Sequence, residues 1–268
     1  MNPICLPSLC MLGSLSLAGS LSLLAGPKLT PLLPPDEKYH VHDVKRPRPQ
    51  KVVSQGVVVQ APPADAVVLF DGKSTDAWDK AWEVKDGVMI ATGGKEAGDI
   101  RSKESFGDMQ LHIEWRVPAG REVSGQKGAN SGVFLMDNFE IQIQESHSNV
   151  TYADGQAAAM YGQYPPLVNA STAQGEWQSY DIIFQAPVYD ESGLKSPALV
   201  TVIHNGVVVQ AQRAFLGPTK FRKLGKYPAS MPAKAPIRLQ WHSDPVEFRN
   251  IWARHLVEKV ESPTKASK

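Results

Sequence analysis

The chain has 268 residues, of which 42% are hydrophobic and 21% charged, and its formal net charge is +1. This size holds one large domain or two small ones, and the balanced charge gives no long-range attraction to nucleic acid or to an anionic membrane. Both cysteines, Cys5 and Cys10, lie at the extreme N-terminus, so a mature form without that segment has no disulfide or thiolate chemistry.

Residues 6–25 are almost entirely Leu, Ser, Gly, Ala and Met. Residues 1–26 therefore read as a secretory signal peptide, with a membrane anchor as the alternative that a run of roughly 20 residues permits. An exported protein, periplasmic or extracellular, is expected. Residues 27–63 are rich in proline and include Lys45-Arg46-Pro47-Arg48-Pro49; they read as an extended, disordered linker whose basic cluster could touch the cell envelope. Residues 64–257 carry dense strand signals, and residues 258–268 read as a disordered tail.

Within that central region Val67 to Phe70 is a strand. Trp82-Glu83-Val84 and Val88-Met89-Ile90 flank Asp86-Gly87, a hairpin signature. From Met109 to Val117, the residues Leu111, Ile113, Trp115 and Val117 share one face, and His112, Glu114 and Arg116 share the other. Asn130-Ser131-Gly132-Val133-Phe134-Leu135 and Phe139-Glu140-Ile141-Gln142-Ile143-Gln144-Glu145 follow. In the second of these, Ile141 and Ile143 oppose Glu140, Gln142 and Gln144, so a core face backs onto a face of hydrogen-bonding groups. Tyr180 to Gln185 and Ala198 to Ile203 are strands, and Asn205-Gly206 turns the chain into Val207-Val208-Val209. Ile237 to His242 and Val246 to Arg249 alternate again. Many strands, turn residues between them and no helical period imply an all-β sandwich of two antiparallel sheets, each large enough for six or seven strands.

The segments Leu69-Phe70-Asp71-Gly72-Lys73, Trp82-Glu83-Val84-Lys85-Asp86-Gly87-Val88, Glu114-Trp115-Arg116, Asn130 to Leu135, Glu140 to Ile143, Gly175-Glu176-Trp177, Asn205-Gly206-Val207, Ile237 to His242 and Val246-Glu247-Phe248-Arg249-Asn250-Ile251 stand in one order over residues 66–256. In that order they resemble the 3-keto-disaccharide hydrolase domain family of exported bacterial proteins. The resemblance implies a concanavalin A-like (laminarinase-like) jelly roll. It also implies a hydrolase or lyase acting on glycosides oxidised at C3, with a carbohydrate or glycoside as the small-molecule partner.

In such a substrate the ketone acidifies the C2 proton, and cleavage needs a base near C2, a donor or metal for the enolate oxygen, and an acid for the leaving oxygen. Glu140 is the first candidate for the base and His242 the second. Glu114, Arg116, Asn130, Gln142, Tyr161, Gln240, Glu247 and Arg249 are the candidate substrate-binding residues, provided their polar faces share a groove. No closed zinc spacing is present, and a divalent metal on His, Glu and Gln side chains is left open, as is the oligomeric state. Two other readings stand beside this one. Glu140-x-Gln142-x-x-Glu145 has the spacing of a retaining laminarinase-like pair, with a bulge bringing Glu145 onto the face of Glu140. A non-catalytic carbohydrate-binding jelly roll is the other.

Overall fold

The computed structural model describes residues 30–35, 38–92 and 98–256. The signal-peptide reading of residues 1–26 and the tail from 258 lie outside the described residues. Among the described residues fourteen strands follow in order: β1 (Val67–Phe70), β2 (Glu83–Lys85), β3 (Val88–Ile90), β4 (Ile100–Phe106), β5 (Met109–Arg116), β6 (Asn130–Leu135) and β7 (Phe139–Gln144) come first. Then come β8 (Gln178–Gln185), β9 (Val188–Asp190), β10 (Gly193–Ser196), β11 (Leu199–His204), β12 (Val207–Ala214), β13 (Ala235–Leu239) and β14 (Glu247–His255). Among the described residues the helical structure is one 3-10 turn, Ala153–Gly155.

The strands form an all-β jelly-roll sandwich. One sheet runs β12-β11-β8-β5-β14-β3-β2, with β1 also on β14, and the other runs β4-β13-β6-β7. β9 and β10 form a separate two-stranded sheet, and all pairings between the named strands are antiparallel. The Asp86-Gly87 and Asn205-Gly206 turns both have positive φ at both positions, as a two-residue hairpin demands. The layers are unequal, eight strands against four, where two of six or seven were expected. Irregular chain takes the place of further strands: residues 158–161 lie along the free edge of β7, with Ala158 N donating to Gln142 O and Gln142 N donating to Ala159 O.

The core is built from the alternation seen in the sequence. Leu111, Ile113 and Trp115 of β5 and Ile182 and Phe184 of β8 face Val133, Leu135, Ile141 and Ile143 of the smaller sheet, and all are fully buried in one cluster. Each such side chain is worth about 1.5–3 kcal/mol of transfer free energy. Tyr180 crosses the core from β8 and donates its hydroxyl to Gln142 O at 2.8 Å, tying the two layers together beneath the outer face of β7.

The described residues between 30 and 63 differ from the solvated linker expected of them. They form none of the named strands, but they lie on the sandwich as a strap. Leu33 and Val41 are buried. Val52 N donates to Asn169 O, Ser54 Oγ to Ala170 O, and Gln60 O accepts from Asn250 Nδ2 and Trp252 Nε1. Proline removes donors from such a segment without preventing its remaining amides and carbonyls from pairing with the body.

Candidate active site

The outer face of the four-stranded sheet carries the site. Strand alternation sends Ile141 and Ile143 into the core and leaves Glu140 and Gln142 on the opposite face. The register then aligns neighbours. Arg238 of β13, Phe134 of β6 and Glu140 of β7 stand side by side, and Gly132 stands beside Gln142. Gln240 extends the ladder one residue past β13, its N–H donating to Gly132 O at 3.0 Å. Above this face is a cavity of about 390 Å³, within the range that buries a small ligand. Glu140, Gln142, Asn130 and Phe134 line it from the sheet, Gln240 and His242 from the chain after β13, and Tyr152, Tyr161, Gln126, Lys127, Thr219 and Phe221 from loops.

Glu140 is 4% exposed, and its carboxyl has no hydrogen-bond or ion-pair partner among the described residues; only its backbone N–H is bonded, to Thr219 Oγ1 at 3.0 Å. Burial raises its pKa to about 8, against a smaller opposing pull from Arg238 and a small further rise from Asp99. Arg238 is held away from it. Its guanidinium is engaged by Asp137, bonds Asp99 Oδ2 at 2.6 Å, and lies 3.5 Å from the centre of the Phe134 ring. Gly132 makes room for the carboxyl: a Cβ there would stand 2.5 Å from Glu140 Oε1. The glycine in the middle of β6 is thus a close-approach position beneath a functional side chain.

The walls are amides and aromatics. Gln142 Nε2 donates to Asn130 Oδ1 and to Gln126 Oε1, both at 3.1 Å, while Gln126 Nε2 donates to Thr151 Oγ1 and Gly155 O. Gln142 Oε1 is buried with no partner. Tyr152 and Tyr161 share a hydrogen bond of 3.0 Å between their hydroxyls. Burial pushes Tyr152 up to about 12 and Tyr161 higher still, so both remain neutral donors at any ordinary pH. Behind Tyr152 the ring of His42, on the strap, stacks at 4.2 Å, and burial followed by the charge of Arg222 lowers its pKa to about 4. Amide groups with flat apolar rings match the hydroxyls and the C–H faces of a sugar.

The structure divides the sequence-predicted residues into two sets. Glu140, His242, Asn130, Gln142, Tyr161 and Gln240 meet in the cavity. Glu114, Arg116, Glu247 and Arg249 do not: they lie on the outer face of the eight-stranded sheet, with the core between. Trp115 pairs with Phe248 in the core, so Arg116 opposite Glu247 and Glu114 opposite Arg249 point the other way. There they are consumed by one another. Arg116 bonds Glu247, Arg249 bonds Glu114 at 2.6 Å, and both guanidinium groups sit over Trp177. His112 Nδ1 bonds Asp181 at 2.7 Å and its Nε2 reaches Glu114 at 3.5 Å. Burial would raise the pKa of Glu114, but bonds from His112, Asn250 and Arg249 outweigh it and hold it low. The shared groove expected of these four residues is absent, because β5 and β14 belong to the other layer.

Glu145 does not join Glu140 either. The β6–β7 register runs from Asn130 opposite Gln144 to Leu135 opposite Phe139 without a bulge, so no shift returns Glu145 to the face of Glu140. Its carboxylate instead caps the following loop, accepting from the N–H groups of His147, Ser148 and Asn149 and from Ser148 Oγ. This removes the geometric basis for a Glu140–Glu145 retaining pair. Among the described residues, no three His, Cys, Asp or Glu side chains gather as a metal site would require. Gln126, Lys127, Phe134, Tyr152, Thr219 and Phe221 were not legible as cavity residues. Phe134 carried a signal, since it alternates with Val133 and Leu135; the others sit on loops whose path depends on tertiary contacts.

Residues 65–254 match the model of the 3-keto-alpha-glucoside-1,2-lyase-like domain. None of the curated proteins compared matches the chain. Among solved structures, a candidate glycosyl hydrolase from Parabacteroides distasonis is 39% identical, with a TM-score of 0.69 over 79% of this chain and 94% of that one. Two further candidate glycosyl hydrolases from the same organism share the fold at 19% and 23% identity, each with a TM-score of 0.52; they cover 75% and 71% of this chain and 99% of their own. The sandwich is a glycosyl-hydrolase-like jelly roll, and the chain belongs to the 3-keto-alpha-glucoside-1,2-lyase-like family.

Proposed function

We propose that this protein cleaves glycosides oxidised at C3, with Glu140 as the base that removes the C2 proton. The C3 ketone takes the electron pair of the broken C2–H bond as an enolate. The enolate collapses, re-forms the ketone, makes a C1=C2 double bond and expels the glycosidic oxygen from C1. That oxygen leaves as an alcohol once protonated. Water then adds, its oxygen to C1 and a proton to C2, so that glycoside and water become 3-keto sugar and alcohol. Glycosidic-bond cleavage as a class follows from the family and fold; the oxidised substrate and this route are our reading.

The observation that carries the proposal is the unpartnered, buried carboxyl of Glu140 in a cavity of amides and aromatic rings. Burial makes it a stronger base than an ordinary carboxylate, in the range a general base needs near neutral pH. Neutral donors suited to a developing enolate oxygen are at hand in the Tyr152–Tyr161 hydroxyl pair and in the side-chain amide of Gln240. His242, exposed at the rim of the cavity, is placed to approach the leaving oxygen and takes the role of acid in this reading. The apolar stretch 6–25 supports placing this activity outside the cytoplasm.

The test is incubation of the purified protein with 3-keto-glucosides and with the same glucosides unoxidised. Release of 3-keto-glucose from the first set alone is expected. Release from the unoxidised set would point to conventional glycoside hydrolysis, and release from neither to a binding module.

A further inference from the structure

Beside the cavity of Glu140 lies a second hollow, of about 400 Å³. Gln126, Tyr152 and Phe221 line both, so the two lie on either side of the same three side chains. The remainder of the second hollow is Thr30, Val41 and His42 from the strap and Arg222 from the loop before β13. The strap residues precede residue 65, where the match to the family domain begins.

We propose that this hollow is the leaving-group subsite, that it takes a second hydroxylated ring, and that Thr30, Val41 and His42 of the strap are part of the binding site rather than of a tether. The proposal rests on the reading that bond cleavage occurs beside Glu140. The wall contributed by the strap is built and pinned. Leu33 and Val41 are buried; Thr30 Oγ1 donates to Val41 O at 2.6 Å and Val41 N donates to Pro31 O at 2.8 Å. His42 N donates to Asp154 Oδ2 at 2.9 Å, and its ring stacks on Tyr152 at an interplanar angle of 14°. This anchors the strap to the loop that supplies the shared wall, so a group entering the second hollow meets a fixed surface.

The chemistry of the hollow suits a sugar ring. Phe221 is 68% exposed, a large aromatic left in water at the border of the two cavities, and a ring laid on it would cover apolar area. Arg222 is exposed and has no ion-pair partner among the described residues, leaving its guanidinium donors for hydroxyl oxygens. A leaving group as small as methanol would use neither. The aromatic face and the guanidinium offer one stacking surface and several donors, the usual division of labour in a site for a small polar ligand.

The test compares the full chain on a 3-keto-disaccharide and on methyl 3-keto-glucoside. In Arg222→Ala and in Phe221→Ala the ratio of kcat/KM for the disaccharide over that for the methyl glycoside should fall tenfold or more, mainly through KM for the disaccharide. Both residues are exposed, so folding is retained. A ratio that stays within twofold in both variants overturns the proposal. A second measurement needs no turnover: calorimetric binding of unoxidised disaccharide and methyl glucoside to Glu140→Gln and to Glu140→Gln/Arg222→Ala. Tighter binding of the disaccharide in the first, lost in the second, supports the subsite even if wild type cleaves no 3-keto-glycoside, an outcome that sinks only the proposed reaction. Equal binding of the two sugars to Glu140→Gln rejects the subsite whatever the cleavage result.

Discussion

The two outer faces of the sandwich carry similar residues and do different things with them. On the eight-stranded sheet, Glu114 is 1% exposed and bonded to Arg249, Asn250 and His112, while Arg116 and Glu247 satisfy each other. On the four-stranded sheet, Glu140 is almost as buried and has no side-chain partner, and a cavity stands in front of it. A buried charge is tolerated only when paired or when it gives the charge up. Glu114 takes the first course and its pKa is held low; Glu140 takes the second, and burial pushes its pKa up to about 8. Similar residues on strand faces thus become a staple in one layer and a reactive group in the other, and the difference lies in what pairs with them.

The sharpest way to break the comparison is to neutralise each carboxylate. Glu140→Gln should lower turnover of a 3-keto-glycoside by about a hundredfold or more, the usual contribution of a positioned base. Its effect on stability should have the opposite sign. The folded pKa of about 8 lies above the unfolded value of 4.5, so the stabilising contribution of the protonated carboxyl is complete below 4.5 and is lost as pH rises through about 8. Thermal melts should show Glu140→Gln close to wild type at pH 5 and more stable than wild type at pH 9. A variant less stable at pH 9 would mean that the ionised carboxylate has a partner.

Glu114→Ala should do the reverse. It strands Arg249 and Asn250 and should cost about 3–5 kcal/mol in chemical denaturation, the range for breaking a buried pair. The protein that still folds should keep its kcat, since the core separates Glu114 from the cavity. Loss of turnover at unchanged stability would place Glu114 in the reaction after all.

Gly132→Ala is a finer probe of the same contrast. The added methyl meets the Glu140 carboxyl and, at 3.0 Å, the edge of the Phe134 ring rather than backbone, so both side chains must give and stability should fall by about 0.5–3 kcal/mol. Displacing the carboxyl by an ångström or so should lower kcat by tenfold or more. Full activity in this variant would show that the position of the carboxyl over Gly132 is not the productive one.

The sequence marked the polar faces but not their partners. Glu140 and Gln142 were legible because Ile141 and Ile143 alternate with them in an unbulged strand. Glu114 and Arg116 were legible for the same reason, and nothing in a period of two says which layer a strand joins. That is decided by β14, whose pairing with β5 brings Arg249 to Glu114. β4 was missed because Arg101, Lys103 and Glu104 make it read as a loop, although Ile100, Ser102 and Phe106 are buried. The strap was misjudged for a related reason. Proline content signals an extended backbone, and it does not tell whether the extended chain lies in water or on a protein surface.

Running the reaction in D2O and following the sugar by NMR tests the central claim most directly. Proton removal at C2 by Glu140, elimination and rehydration should leave one deuterium at C2 of each 3-keto sugar released. C4, flanking the same ketone, serves as the control for spontaneous exchange. Deuterium at C2 in step with product release, and its loss in Glu140→Gln, is the predicted result. Product released with C2 still fully protonated would contradict the account, because the glycosidic bond would then have broken without the step assigned to Glu140.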